Sequence, residues 1–278
     1  MKIGIVTCEA YPNLSESDQF LLKDLTQYNV KAKPMVWSSE ADWTEFDALL
    51  IRSVWDYHKR YYEFVSWLHH IKQAGIPTQN SIELMMKNSD KTYLKSLEQS
   101  GISIVPTEIL STNTTEEIGK KMDRYGWNKA VLKPTIRATA YHTHLISSTS
   151  DLDNLRMRYD LNYLLQPYMP EIEKGEHSLV FLNGEFSHAV LKKPKPNDFR
   201  VQSDFGGSYQ LVEVDPEIVK QAKKVVSLQP ELPLYARVDG LVLNDQFLLM
   251  EIELIEPELF LLNLQLKDLF IHETLKVF

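Results

Sequence analysis

The sequence predicts an α/β protein: an N-terminal lobe built on a parallel sheet, then two α+β lobes with antiparallel strands. Three observations carry this. Apolar strand segments alternate with helical segments up to about residue 84. Short apolar strands then replace that alternation. Two runs of strand residues are each broken by a turn centred on asparagine, Asn183-Gly184 and Asn244-Asp245-Gln246.

In chain order, Ile3 to Cys8 is an apolar run bounded by polar residues and reads as a buried strand. Ser17 to Tyr28 reads as a helix, with Phe20, Leu21 and Leu25 at helical spacing and Ser15 or Ser17 as its cap. Lys31 to Trp37 and Ala48 to Arg52 read as strands, and Tyr61 to Gln73 as a helix. Gly75-Ile76-Pro77-Thr78 interrupts the pattern, and Asp90 to Gln99 is helical again. Val131 to Pro134 and Tyr163 to Tyr168 are short strands. Ser178 to Leu182 and Glu185 to Leu191 form one hairpin, and Leu241 to Leu243 with Phe247 to Leu254 a second. Pro216 to Val226 is a helix. The expected lobes are 1–84, 85–165 and 166–278.

Composition narrows the function. The chain has 278 residues, 44% hydrophobic and 24% charged, a balance that suits a globular protein of two or three lobes. A formal net charge of -8 argues against general nucleic-acid binding. Cys8 is the only cysteine, which excludes an intrachain disulfide and a cysteine-rich zinc site, and it reads as a small buried hydrophobe. No run reaches the roughly 18 apolar residues of a membrane span, and the N-terminus lacks signal-peptide features, so a cytoplasmic location is expected.

Chemistry concentrates in the last hairpin. Strand alternation places Leu249, Glu251 and Glu253 on one face, and Asp239 on the preceding strand adds a third carboxylate. Acids this close repel unless a cation lies among them, and hard oxygen donors of this kind suit Mg²⁺. The plainer alternative is an edge strand whose glutamates face water. Lys133, Lys192, Lys193 and Arg200 follow or end apolar strands and could neutralise a polyphosphate, although singly each reads as a solvated charge. Gln166-Pro167-Tyr168-Met169, with Glu176 beyond, could read an adenine edge and a ribose, or could be an ordinary linker.

The order Lys91, Val131-Leu132-Lys133-Pro134, Gln166-Pro167-Tyr168, Glu176, Asp198-Phe199-Arg200, Asp239, Glu251-x-Glu253 resembles the ATP-grasp superfamily over residues 45 to 262. It is most similar to the carboxylate–amine ligase branch of O-ureido-D-serine cyclo-ligase and prokaryotic glutathione synthetase. Arg52-Ser53-Val54-Trp55-Asp56-Tyr57, Asp198-Phe199-Arg200-Val201-Gln202 and Glu253-Leu254-Ile255-Glu256-Pro257 are among its most specific runs.

The resemblance implies an ATP-grasp fold, with two α+β subdomains gripping nucleotide beside the N-terminal lobe. It implies ATP and Mg²⁺ as cofactors and a small carboxylic acid and an amine as substrates, joined through an acyl phosphate with release of ADP and phosphate. By the same resemblance, Lys91 and Lys133 hold the ATP phosphates, and Gln166, Pro167, Tyr168 and Met169 flank adenine with Leu249 beneath it. Glu176 takes the ribose, Asp239, Glu251 and Glu253 hold magnesium, and Lys192 and Arg200 act in the chemical step. Nucleic acid and membrane are not expected partners, and a homodimer is compatible with the sequence. A small-molecule kinase on the same fold and a nucleotide-binding module with little turnover are the alternative functions.

Arg52, Asp56 and Tyr57 follow an apolar strand at its C-terminal end, where ligands collect in parallel sheets, and are the substrate candidates. Arg52 and Asp56 could instead pair with each other. The phosphate-covering loop, Thr135 to Thr143, departs from the family in having no glycine, so Arg137 or His142 would replace backbone contacts with side-chain ones. Asn197 stands where the family favours glycine. His69 and His70 point in different directions on a helix, and His142 and His144 lack a third ligand. Tyr61, Phe64 and Trp67 at helical spacing read as core.

Overall fold

A computed structural model describes residues 1–112, 114–137, 142–155, 157, 161–196, 198–201 and 205–278. Residues 138–141 of the phosphate-covering loop, Asn197 and Gln202 lie outside the described residues.

The N-terminal lobe is a parallel sheet of β1 (Lys2–Thr7), β2 (Lys31–Val36), β3 (Ala48–Ser53) and β4 (Thr78–Gln79), in the order β2-β1-β3-β4. β3 is buried along its whole length, as expected for a strand covered on both faces. The first helix is shorter than its sequence pattern. α1 spans Phe20–Asp24 and tightens into a 3-10 turn over Leu25–Tyr28. Neither serine caps it: Ser15 Oγ is bonded to Asp18 and Ser17 Oγ donates to Glu258, 241 residues away. α2 (Tyr61–Gln73) buries Phe64 and Trp67 against Trp37 and Trp43, so its aromatic stripe is core, while His69 and His70 are exposed. Cys8 is buried in the same core.

α3 (Ile82–Ser89) begins on Ser81, whose hydroxyl accepts the Leu84 N–H. It is shared between lobes: Met85 packs with the N-terminal core and Leu84 with the core of the last sheet. The expected boundary after residue 84 therefore falls inside a helix. α4 (Tyr93–Gln99) starts three residues later than expected, because Asp90 closes a turn onto the Thr92 N–H.

The middle sheet is antiparallel. Its strands β5 (Glu108–Ile109), β6 (Ala130–Pro134), β7 (His144–Ile146) and β8 (Tyr163–Pro167) lie in the order β5-β8-β6-β7, with α5 (Thr115–Tyr125) and α6 (Thr149–Asn154) between them in sequence. The expected boundary at 165/166 cuts β8. The last sheet contains β9 (Glu176–Leu182), β10 (Glu185–Lys193), β11 (Ser208–Val212), β12 (Tyr235–Leu243) and β13 (Gln246–Glu253), in the order β11-β10-β9-β12-β13. α7 (Pro216–Ser227) covers one face of it. α8 (Leu264–Val277) returns to the N-terminal lobe, where Phe270 and Ile271 pack with Ile3, Ile5 and Leu21. No helix among the described residues is long and apolar enough to cross a membrane.

Both turns read from sequence are two-residue turns with positive φ: Asn183 (46°) with Gly184 (75°), and Asn244 (47°) with Asp245 (61°). Gln246, expected in the second turn, is the first residue of β13. Asn80 ties the lobes together, its amide donating to the carbonyls of Tyr235 and Leu254, both at 2.8 Å.

β13 departs from simple alternation. Asp239 faces Glu251, yet Gly240 faces Leu249, so Met250 is an extra residue in a β-bulge. Before the bulge, Phe247 and Leu249 point into the core under α7; after it, Ile252 does. Met250, Glu251 and Glu253 therefore share the opposite face. The expectation that Leu249 lies on the acid face beneath adenine is corrected: Leu249 is fully buried in the other core.

Candidate active site

The β12–β13 hairpin builds the centre of the site. Asp239, Glu251 and Glu253 offer carboxylate oxygens that all lie within 4.8 Å of one another. Four cations offset them. Lys91 contacts Glu251 at 2.9 Å and Arg137 does so at 3.4 Å. Arg237 bonds Asp239 at 2.9 Å and Glu253 at 2.7 Å, and Lys192 lies 3.2 Å from Asp239 and 2.5 Å from Glu176. Alternation along β12 puts Arg237 on the face of Asp239, so its place was legible in the spacing.

Burial pushes Glu251 up, but Lys91, Arg137 and Lys133 outweigh it and hold it well below the usual carboxylate range. Burial also raises Asp239, and Arg237 and Lys192 bring it below its ordinary value. Glu253 ends above its ordinary value, since burial and the charges of Glu251 and Asp239 exceed the help from Arg237. A set of buried oxygen donors this close suits a hard divalent cation.

A narrow cleft runs from this cluster between the middle and last sheets. Lys133, at the end of β6, is buried in it, and burial together with Arg137 pushes its ammonium down to about 7. Gln166, Pro167, Tyr168 and Met169, at the end of β8, line the same cleft, with Glu176 and Arg200. The Gln166 side chain is held by Thr107 at 2.7 Å, and the Tyr168 N–H donates to the Lys129 carbonyl. Met250 stands where Leu249 was expected and packs in one apolar cluster with Tyr168, Met169 and Phe199. An apolar slot, buried acids and buried lysines together make a place for a polyphosphate with a flat base.

Residues 90–258 match the family model of the prokaryotic glutathione synthetase ATP-grasp domain. The chain belongs to the ATP-grasp family. Residues 3–80 match the N-terminal domain of D-cycloserine synthetase DcsG. The cycloserine biosynthesis protein DcsG of Streptomyces lavendulae is 26% identical over 265 residues, 86% of each chain. In fold, the chain is similar to the crystal structure of D-cycloserine synthetase DcsG, with a TM-score of 0.85 at 22% identity over 100% of this chain and 99% of that one. It is also similar to D-alanine–D-alanine ligase from Bacillus anthracis complexed with ATP, with a TM-score of 0.68 at 16% identity over 100% and 98% of the two chains.

The other expected positions of this ATP-grasp chain divide. Arg200 lines the cleft, but its fork is engaged by Asp198, with Nε–Oδ1 at 3.0 Å and Nη2–Oδ2 at 2.9 Å. Arg52, Asp56 and Tyr57 line neither the cleft nor the wider cavity, which speaks against the substrate assignment. Arg52 is buried against Asp18 at 3.0 Å and donates to the Pro257 carbonyl. Asp56 accepts the Trp37 indole N–H at 2.7 Å, and Tyr57 belongs to the aromatic core. Arg52 and Asp56 therefore do not pair with each other either.

The wider cavity, about 730 Å³, opens on the other side of the acids. Among its lining residues are Tyr11, Trp55, Arg237, Glu256 and Glu258, none assigned a role from sequence. Arg137, from the glycine-free loop, lines both this cavity and the cleft.

Proposed function

We propose that this ATP-grasp ligase uses Mg·ATP to convert a small carboxylic acid to its acyl phosphate and passes the acyl group to an amine, releasing ADP and phosphate. The observation that carries the proposal is the junction of cleft and cavity. Glu251 and Arg137 line both, so a triphosphate in the cleft would end against a substrate in the cavity. The two substrates are small molecules, since the cavity holds about 730 Å³.

In this reading, Lys91 and Lys133 neutralise the phosphates, and Glu176 accepts the ribose hydroxyls. Tyr168, Met169 and Met250 enclose the base beside Gln166 and Pro167. Asp239, Glu251 and Glu253 would hold Mg²⁺, which when bound supplies charge neutralisation to the triphosphate. The substrate carboxylate attacks the γ-phosphorus, and ADP leaves. Amine attack on the acyl carbon then gives a tetrahedral centre that expels phosphate. Lys192, on β10 beside Asp239, and Arg200 stabilise the charge on the transferring group. The side chain of Arg137 takes the place of glycine-loop amides. The lobes of the middle and last sheets act as the two jaws, and the N-terminal parallel-sheet lobe as the substrate side.

The test is an ADP-release screen over carboxylic and amino acids, with and without amine acceptors. The proposal expects release that depends on an acid, on Mg²⁺ and on an amine. Release with a hydroxyl compound and no amine would instead identify a kinase.

A further inference from the structure

Tyr11, Trp55 and Glu256 line the wider cavity together with Glu251 and Glu253. Tyr11 and Trp55 meet edge to face, with ring centroids 5.0 Å apart. The Trp55 indole N–H donates to the main-chain carbonyl of Glu256 at 2.9 Å, which fixes the aromatic wall to the segment carrying that glutamate. The Glu256 carboxylate lines the cavity, is only 7% exposed, and has no hydrogen-bond or ion-pair partner among the described residues.

Its neighbours are engaged. Glu251 has Lys91, Glu253 has Arg237, and Glu258 accepts from Ser17 Oγ and from the Phe260 N–H. Four of the cations that line the cavity are paired with other acids: Lys91 and Arg137 with Glu251, Lys192 with Glu176 and Asp239, and Arg237 with Asp239 and Glu253; Lys267 lies over the Phe20 ring. Glu256 is thus a buried acid that no cation among the described residues contacts; burial and the charge of Glu253 push it well above its ordinary value, more than Lys91 and Arg237 lower it. A ligand cation in contact with it would favour its charged form. Carboxylate and aromatic ring faces both attract a compact cation.

We propose that Glu256 and the Tyr11–Trp55 wall bind the ammonium group of a small amino-bearing substrate. The inference rests on the ligase reading and names the class of one substrate. It also explains why Trp55, and not its neighbours Asp56 and Tyr57, reaches the cavity: their side chains are spent on Trp37 and on the core.

The test uses n-propylammonium, L-alanine and D-alanine as ammonium probes, with propionate and propionamide as controls. Binding is read on the Trp55 indole N–H resonance, assigned with Trp55→Phe. Saturable shifts are expected from n-propylammonium and from at least one alanine, and none from the controls. A response to the alanines alone assigns the site to an amino acid, and one to n-propylammonium alone to a simple amine. Glu256→Gln should raise the n-propylammonium Kd at least tenfold, and Tyr11→Ala severalfold. The melting shift produced by Mg·ATP should survive in both variants. A parent protein that ignores Mg·ATP overturns the ligase reading. A parent that responds to Mg·ATP while the Trp55 signal ignores every ammonium probe, or responds equally to propionamide, overturns this proposal. So does an unchanged n-propylammonium Kd in Glu256→Gln. Should that variant not fold, an unchanged Kd in Tyr11→Ala overturns it.

Discussion

Asp239 and Glu251 face each other across the β12–β13 ladder, and one residue further the register slips so that Met250 bulges out beside Glu251. That single extra residue puts a methionine in the cleft between the middle and last sheets and sends Leu249 into the core beneath α7. A bulge next to a site re-aims side chains in this way.

The two neighbours should then behave oppositely. Met250→Ala removes apolar contact from the cleft and should raise the KM for ATP about tenfold, with kcat nearly unchanged. Leu249→Ala opens a core cavity and should cost about 2–5 kcal/mol of stability, with the KM for ATP unchanged in the folded fraction. Steady-state kinetics beside urea denaturation checks both. The reverse pattern would mean that the alternation of β13 is unbroken.

Arg52 is a structural residue. It is buried with Asp18, and its guanidinium lies over the rings of Tyr235 (5.1 Å) and Phe270 (5.5 Å). Breaking such a pair leaves an uncompensated buried charge, so Arg52→Ala should cost about 3–5 kcal/mol. Activity per folded molecule should stay near that of the parent. Loss of substrate affinity without loss of stability would restore Arg52 as a substrate contact.

With Lys133 on the phosphates, as proposed, ATP binding is coupled to protons. Burial and the nearby Arg137 bring its ammonium down to about 7 in the free protein. Phosphates favour the charged form, so ATP binding raises this value. Above pH 7 the free protein holds Lys133 largely neutral, and binding must take up a proton. ATP affinity should therefore fall as pH rises from 7 toward 9. Calorimetry in buffers of different ionisation heat measures the uptake, and Lys133→Met should abolish it. Proton release, or uptake that persists in Lys133→Met, would contradict this.

Glu253→Gln should raise the Mg²⁺ concentration for half-maximal activity by roughly ten- to a hundredfold, the usual penalty for a disturbed metal site. The fold should survive, because Arg237 keeps its bonds to Asp239 and to the Glu258 carbonyl. An identical magnesium titration would show that Glu253 only balances Arg237.

Much of this was legible in the sequence. The hairpins followed from Asn183-Gly184 and Asn244-Asp245, residues that tolerate positive φ. The parallel lobe followed from apolar strands separated by helices, and the core reading of Phe64 and Trp67 from their spacing. What escaped was set by distant partners. Ser17 bonds Glu258 and Arg52 bonds Asp18, so the first helix is cut short and a plausible substrate arginine becomes a buried tie. The bulge at Met250 leaves no mark in the alternation of Leu248 to Leu254, since it depends on what β12 presents opposite. Glu256 lay inside a family-like run, yet that no cation among the described residues contacts it shows only when its neighbours' partners are counted.

Acyl-phosphate formation is the step that defines the proposed reaction. The most direct measurement takes an acid found in the ADP-release screen, labels its carboxylate with ¹⁸O, and analyses the phosphate released with the amine present. The account predicts that one ¹⁸O moves from the acid to each phosphate formed, in step with ADP and with the joined product. Phosphate free of ¹⁸O, or AMP in place of ADP, would contradict it.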